Sequence, residues 1–200
     1  MTDNYAKIVR SNLTQLYADL PPNLASCLPA EQEGMTFHFK AFAQSCRITP
    51  QGIFFGEKLK EDVFGILLSL YALRAKDLDL ILEPFIGFKE VPDSMPYVGA
   101  FATHTEQILI PMVNKIGTAR DTIISAFDGQ DVSTSSPGDF AFILKPLPKI
   151  ALQFIFYEAD EDFPAAVTCL FSHNAAAFMP VDGLADVGEY TSRRMLEMIG

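Results

Sequence analysis

The sequence predicts an antiparallel α+β fold, and three observations predict it. Short runs with apolar residues at every second position fall into two groups, one early and one late in the chain. Runs with apolar residues at helical spacing lie before, between and after them. Strand and helix never alternate regularly, as a parallel doubly wound sheet would require. The expected architecture is a mainly antiparallel sheet, an N-terminal strand plus hairpin and a C-terminal three-stranded meander, packed with helices. At 200 residues the chain is expected to form a single α+β domain over residues 1–200.

Taken in order, Tyr5, Ile8, Val9, Leu13, Leu16, Tyr17 and Leu20 recur at helical spacing behind Asp3 or Asn4 as the cap, and Pro21-Pro22 stops the pattern. From Met35 the period becomes two, with Phe37, Phe39 and Ala41 alternating with Thr36, His38 and Lys40. Runs at 46–49 and 53–55 flank Pro50-Gln51-Gly52 and predict a hairpin. Glu61 and Asp62 then place negative charge at the start of a helix, 63–73, that is apolar almost all round and is read as the central one. Residues 83–96 hold Pro84, Gly87, Pro92 and Pro96 without a stable period, which predicts a loop with room for a short edge strand.

Helical spacing returns with Phe101, Ile108, Leu109, Met112, Val113 and Ile116, and Pro111 is expected to kink that helix or to mark where two helices meet. Thr118 is read as the cap of another short helix ending at Ala126. Residues 128–138 are polar and form the best candidate for a mobile loop. The meander follows as runs at 140–144, 150–157 and 165–171, which turn at Pro146-Leu147-Pro148 and Asp160-Glu161-Asp162-Phe163-Pro164. Ile150, Leu152, Phe154 and Phe156 on one face, with Ala151 and Ile155 on the other, predict a middle strand covered on both sides. Asp182 is expected to cap a last helix carrying Leu184, Val187, Thr191 and Met195 along one stripe.

Composition excludes several function classes. Fifteen basic residues against 25 acidic ones give a net charge of −10, and no stretch clusters Lys and Arg, which argues against nucleic acid as a partner. The same balance repels anionic lipid headgroups. The most apolar run is about eleven residues, short of the roughly 20 that span a membrane. The first residues show neither the charged start nor the apolar run of a secretion signal, so the expected location is cytoplasmic. Cys27, Cys46 and Cys169 are odd in number and far apart, which predicts reduced thiols, not a disulfide framework or a zinc or iron–sulfur ligand set.

The strongest chemical candidate is the acidic turn Glu158, Asp160, Glu161 and Asp162. Oxygen ligands at alternate positions suit a hard cation, but the turn glycine of a calcium loop is missing and Cys169 stands where its closing Glu belongs. A solvated, charged turn that also discourages edge pairing is the favoured reading, with metal or substrate contact as the rival. Phe163-Pro164 would anchor and stiffen the turn under either reading. His173, in Ser172-His173-Asn174 at the end of an apolar run, joins the candidates, although a capping and turn role for that triplet is favoured. On a simple hairpin count it lies at the opposite end of its strand from the acids. His104 and His38 lack a metal-ligand partner at i+3 or i+4. Ser133, Ser135 and Ser136 have no assignable base, and the common hydrolase, P-loop and dinucleotide motifs are absent.

Four segments carry a family resemblance: Leu67-Leu68-Ser69-Leu70-Tyr71-Ala72-Leu73-Arg74-Ala75, Pro146-Leu147-Pro148, Tyr157-Glu158-Ala159-Asp160-Glu161-Asp162-Phe163-Pro164-Ala165 and Leu170-Phe171. Together they resemble the uncharacterised family catalogued as domain of unknown function number 3786, over most of the chain after about residue 35. The acidic turn is the most specific piece. The resemblance implies context and no chemistry: members come largely from anaerobic bacteria and archaea, and some are joined to iron–sulfur-binding modules. Such proteins commonly continue the last strand as L-F-D, whereas this chain reads Leu170-Phe171-Ser172. With no cysteine cluster in the chain, an iron–sulfur or corrinoid partner would be a separate protein.

The leading expectation is therefore a non-catalytic binding or accessory domain in anaerobic redox or cofactor metabolism, with its cofactor unknown. The alternatives are a metal-assisted enzyme using the acidic turn 158–162 with His173, and a structural subunit of a hetero-complex that buries an apolar helix face.

Overall fold

Ten short strands form two antiparallel five-stranded sheets, and helices pack between and around them. The computed structural model describes residues 2–200, the side chains of Thr2 and Asp3 excepted. Helix α1 (Thr2–Ala18) buries Ala6, Val9, Leu13 and Leu16 along one stripe, as their spacing dictates. It starts at Thr2, which puts Asn4 inside the helix and not at a cap; the Asp3 side chain lies outside the described residues. One helical turn, α2 (Leu24–Cys27), follows the two prolines.

The first sheet runs β1 (Glu31–Glu33), β2 (Thr36–Ala41), β3 (Gln44–Thr49), β4 (Gly52–Phe55) and β5 (Lys58–Leu59) in that order. Phe37, Phe39 and Ala41 are buried, the face their alternation predicts. The expected hairpin joins β3 to β4 with Thr49 opposite Gly52, and the Thr49 hydroxyl accepts from the amides of Gln51 (3.1 Å) and Gly52 (3.2 Å). Helix α3 (Val63–Leu73) is capped by Asp62, whose Oδ1 accepts from the Gly65 amide at 3.3 Å. It packs on α1, where Asn12 donates to the Ser69 hydroxyl at 2.9 Å.

The second sheet has the order β6 (Ile86–Gly87), β10 (Ala166–Phe171), β9 (Ile150–Tyr157), β8 (Phe140–Leu147) and β7 (Gln130–Asp131). Strand β9 is covered on both faces, with only Gln153 and Tyr157 short of full burial. Strand β8 runs on to Leu147, and its register shifts between Leu144 and Leu147, where Pro146 needs no ladder hydrogen bond. The Phe42 amide donates to the Pro146 carbonyl at 2.7 Å, and one continuous apolar cluster runs through both sheets. The polar loop 128–138 is bonded to this sheet: the Ser133 hydroxyl exchanges hydrogen bonds with both backbone groups of Ala141, and Gln153 donates to Ser136 at 2.6 Å.

Between β6 and β7 in the chain, α4 (Val98–Phe101) passes through a π-helical turn, Ala102–Glu106, and a 3-10 stretch, Gln107–Met112, into α5 (Val113–Ala126). The disturbance expected at Pro111 thus takes the form of a change of helix type. Thr118 does not start a helix: it sits inside α5, its hydroxyl donating to the Asn114 carbonyl one turn back at 3.0 Å. Asp182 is likewise not the cap of α6 (Val181–Ile199), since Pro180 holds that place and Asp182 lies in the first turn. Helix α6 crosses the π turn closely, because a Cβ on Gly188 would stand 2.5 Å from the Phe101 ring. There the buried Ser192 hydroxyl donates to the Thr105 carbonyl at 2.7 Å. No helix among the described residues is long and apolar enough to cross a membrane.

Candidate functional site

The acidic turn follows β9 and leads into β10, with its four carboxylates exposed. Asp160 builds it. Its Oδ1 accepts from the amides of Asp162 (2.8 Å) and Phe163 (2.7 Å), and its own amide donates to the Phe163 carbonyl at 3.0 Å. This is the self-bonded turn that Asp favours, and it engages one oxygen of the Asp160 carboxylate. Glu158 contributes its amide, donated to Asp139 at 2.7 Å. The Phe163 ring is 70% exposed, so it does not anchor the turn as expected.

His173 lies at the other end of β10. Ala166 pairs with Tyr157 beside the acids, whereas Phe171 pairs with Leu152 at the far end, two residues before the imidazole. Five strand steps separate these ends by roughly 17 Å at about 3.3 Å per residue. The structure therefore does not bring His173 to Asp160 and Asp162. Among the described residues no three His, Cys, Asp or Glu side chains converge as a metal ion would require. His104 is exposed on the π turn and His38 is half-buried on β2.

The triplet around His173 is a fastener. Asn174 accepts from the Ile81 amide at 2.9 Å and donates to the Asp79 carbonyl at 2.8 Å, while the His173 amide donates to Leu82 at 3.2 Å. Ser172, fully buried, accepts from the Ala151 amide through its hydroxyl at 3.2 Å. The expected turn is present but the expected cap is not: Asn174 stands before the 3-10 turn Ala175–Ala177 with no side-chain bond to it, because its side-chain amide is engaged by the distant segment 79–82.

A better-formed site lies at the π turn. A cleft of about 470 Å³ opens between the β6 edge, the 3-10 turn Phe88–Glu90, α4, the π turn and β10. Phe85, Phe88, Val98, Phe101 and Leu170 make it apolar, and the Phe88 and Phe101 rings stack 4.3 Å apart. Glu106, part-buried, is among its polar lining residues, and its Oε1 accepts from the Cys169 amide at 2.9 Å. That bond serves a β10 amide beyond the short pairing with β6, which reaches only Leu170 and Phe171. Burial holds the Glu106 carboxyl above the usual carboxylate range, with the Cys169 amide pulling the other way.

Cys169, wholly buried beside it, is pushed well above the usual thiol range by burial and by the Glu106 charge. The thiol stays protonated and is neither a nucleophile nor a ready metal ligand. What the cleft offers is an apolar wall with the part-buried Glu106 carboxyl and, among its exposed lining residues, Lys89 and Glu90, an arrangement suited to holding a small molecule. Glu106 escaped the sequence reading because it stands alone on a helical run. Its only sequence signal is a carboxylate one turn before Pro111, where helix geometry is disturbed.

No curated protein and no solved structure matches this chain at a meaningful level. The family model described as a domain of unknown function (DUF3786) matches residues 21–194, which takes in both sheets and all but the two ends of the helical framework, and the chain belongs to that family.

Proposed function

We propose that this chain is a non-catalytic binding domain, an accessory of anaerobic redox or cofactor metabolism whose protein partner is an iron–sulfur or corrinoid protein. The context and the partner class rest on the family resemblance. The binding role is supported by one observation, the aromatic-walled cleft with the part-buried Glu106 carboxyl in its lining. Its volume of about 470 Å³ suits one small molecule and falls within the roughly 300–1,000 Å³ usual for ligand sites. The ligand this lining selects has a compact apolar body and a hydrogen-bond donor that meets the free oxygen of Glu106.

The test is anaerobic affinity purification followed by native mass spectrometry, with the wild type and Glu106→Gln side by side. The amide keeps an oxygen for the Cys169 amide, so the fold survives while the acceptor facing the cleft is altered. The expected result is a small molecule retained by the wild type, lost from the variant, and an iron–sulfur or corrinoid protein eluting with both. A ligand retained equally by the two proteins would remove Glu106 from the site. Stoichiometric metal on the isolated wild-type chain would put the metal-assisted reading in its place.

A further inference from the structure

A second cleft, of about 280 Å³, opens between β4, β5, α3 and α6, and its lining is basic in a chain that is strongly acidic. Lys58, Lys60, Arg193 and Arg194 meet there with one carboxylate, Glu197, above the rings of Phe55, Phe64 and Tyr190. Two segments far apart in the sequence supply these cations, so no local charge run announces them.

The cluster is built into the fold. Lys60 is only 8% exposed, and among the described residues Lys149 is the one other charged side chain so deeply set. The Lys60 amide donates to the Ile53 carbonyl at 2.8 Å, which fixes the backbone just past β5. Its ammonium lies 4.9 Å from the Phe64 ring centroid and 5.6 Å from that of Phe55, and it pairs with Asp62 Oδ2 at 2.6 Å. The same Asp62 caps α3 through its other oxygen, so the cap of the helix positions the ammonium.

The arginines are only partly engaged. Arg193 spends Nε on Glu189 at 2.8 Å, and Arg194 spends Nη1 on Glu197 at 3.0 Å. The Arg194 Nε is buried without a hydrogen-bond partner, so this guanidinium is not fully satisfied by the protein. Among the described residues, the remaining guanidinium donors and the Lys58 ammonium have no hydrogen-bond or ion-pair partner. Three of the four cations are paired with Asp62, Glu189 and Glu197 and still have donors to spare, and a phosphate, with several acceptor oxygens, can take more of those donors at once than the two oxygens of a carboxylate can.

We propose that this cleft is a phosphate-binding site in which Lys60, Arg193 and Arg194 hold the anion over the rings of Phe64 and Tyr190. It is separate from the cleft at Glu106 and does not depend on that reading. The phosphate is either free or carried by a molecule whose flat body stacks on Tyr190, whose ring lies 4.6 Å from that of Phe64. The volume, about 280 Å³, holds the phosphate group with room for only part of a carrier, so the rest of a carrier's body lies outside the cleft.

The test is a titration of the full chain at constant ionic strength with inorganic phosphate, adenosine diphosphate and acetate, followed by amide NMR. The expected result is saturable shifts at Lys60, Tyr190 and Arg194 with phosphate, weakened at least tenfold in Arg194→Gln and little changed by Arg120→Gln, an arginine outside the cleft. Tighter binding of the diphosphate would identify a stacked carrier, and equal binding would identify phosphate itself. Non-saturable shifts, equal shifts with acetate, or binding that survives in Arg194→Gln would each overturn the proposal. The amide spectrum of each variant reports its fold in the same experiment.

Discussion

The backbone amide of Lys149 donates to the Tyr71 hydroxyl across 3.1 Å and so ties the turn between β8 and β9 to the last turn of α3. Tyr71 is 1% exposed, and burial pushes its hydroxyl well above the usual tyrosine range, so it stays protonated and neutral at working pH. Replacing it with Phe removes the acceptor and leaves the Lys149 amide unpaired in a dry site. Tyr71→Phe is expected to cost about 1–3 kcal/mol, the penalty for a buried unsatisfied donor. Urea unfolding checks this. A loss below about 0.5 kcal/mol would mean that the turn finds another acceptor.

Asn174 does for segment 79–82 what Tyr71 does for the turn. Both hydrogen bonds of its amide cross from the end of β10 to the backbone of Asp79 and Ile81, and the segment has little apolar burial of its own. Asn174→Ala is expected to free this stretch locally, with a global loss of about 1 kcal/mol. Hydrogen exchange should show at least tenfold faster exchange at the Ile81 amide and unchanged protection in β9. Faster exchange throughout β9 would show instead that Asn174 supports the sheet as a whole.

How much of this was legible in the sequence depends on whether burial was periodic. The buried face of β2, the β3–β4 hairpin, the double-sided burial of β9 and the central helix α3 all follow from apolar spacing. The polar edge strands β1, β5 and β7 do not, because two or three paired residues leave no alternation to read. The caps assigned to Thr118 and Asp182 failed for a common reason. Each can bond backbone locally from inside a helix, so a Thr or Asp marks a start only where the preceding chain is extended. The acidic turn was read correctly as a turn. The clefts at Glu106 and Lys60 stayed hidden because their residues meet only through tertiary packing.

The acidic turn gives the cleanest test of the metal-assisted alternative. Asp160 accepts two backbone hydrogen bonds, whereas among the described residues the Asp162 side chain makes none. If the turn is purely a turn, Asp160→Ala should cost on the order of 0.5–1 kcal/mol and Asp162→Ala should stay within about 0.5 kcal/mol. Metal content of the anaerobically purified protein should be the same in both variants as in the wild type. A metal site would show the reverse pattern, with bound metal lost in both and stability falling in step with it.

Asp186 supplies the pH dependence. Burial on α6, reinforced by the charges of Glu189 and Asp182, pushes its carboxyl from the ordinary 3.8 up to about 6. Between those values the folded protein holds a proton that the unfolded chain has lost. The stabilisation is therefore fully present below pH 3.8 and lost as pH rises through about 6. At neutral pH the ionised Asp186 is a burden. A shift of this size corresponds to about 3 kcal/mol at face value, and solvent screening of a half-buried group reduces it to about 1 kcal/mol. Asp186→Asn should be more stable than the wild type by that amount at pH 7.5, and the advantage should vanish near pH 4. Urea midpoints at the two pH values measure the difference. An advantage that persists unchanged at low pH would trace the gain to packing of the amide and not to the charge of Asp186.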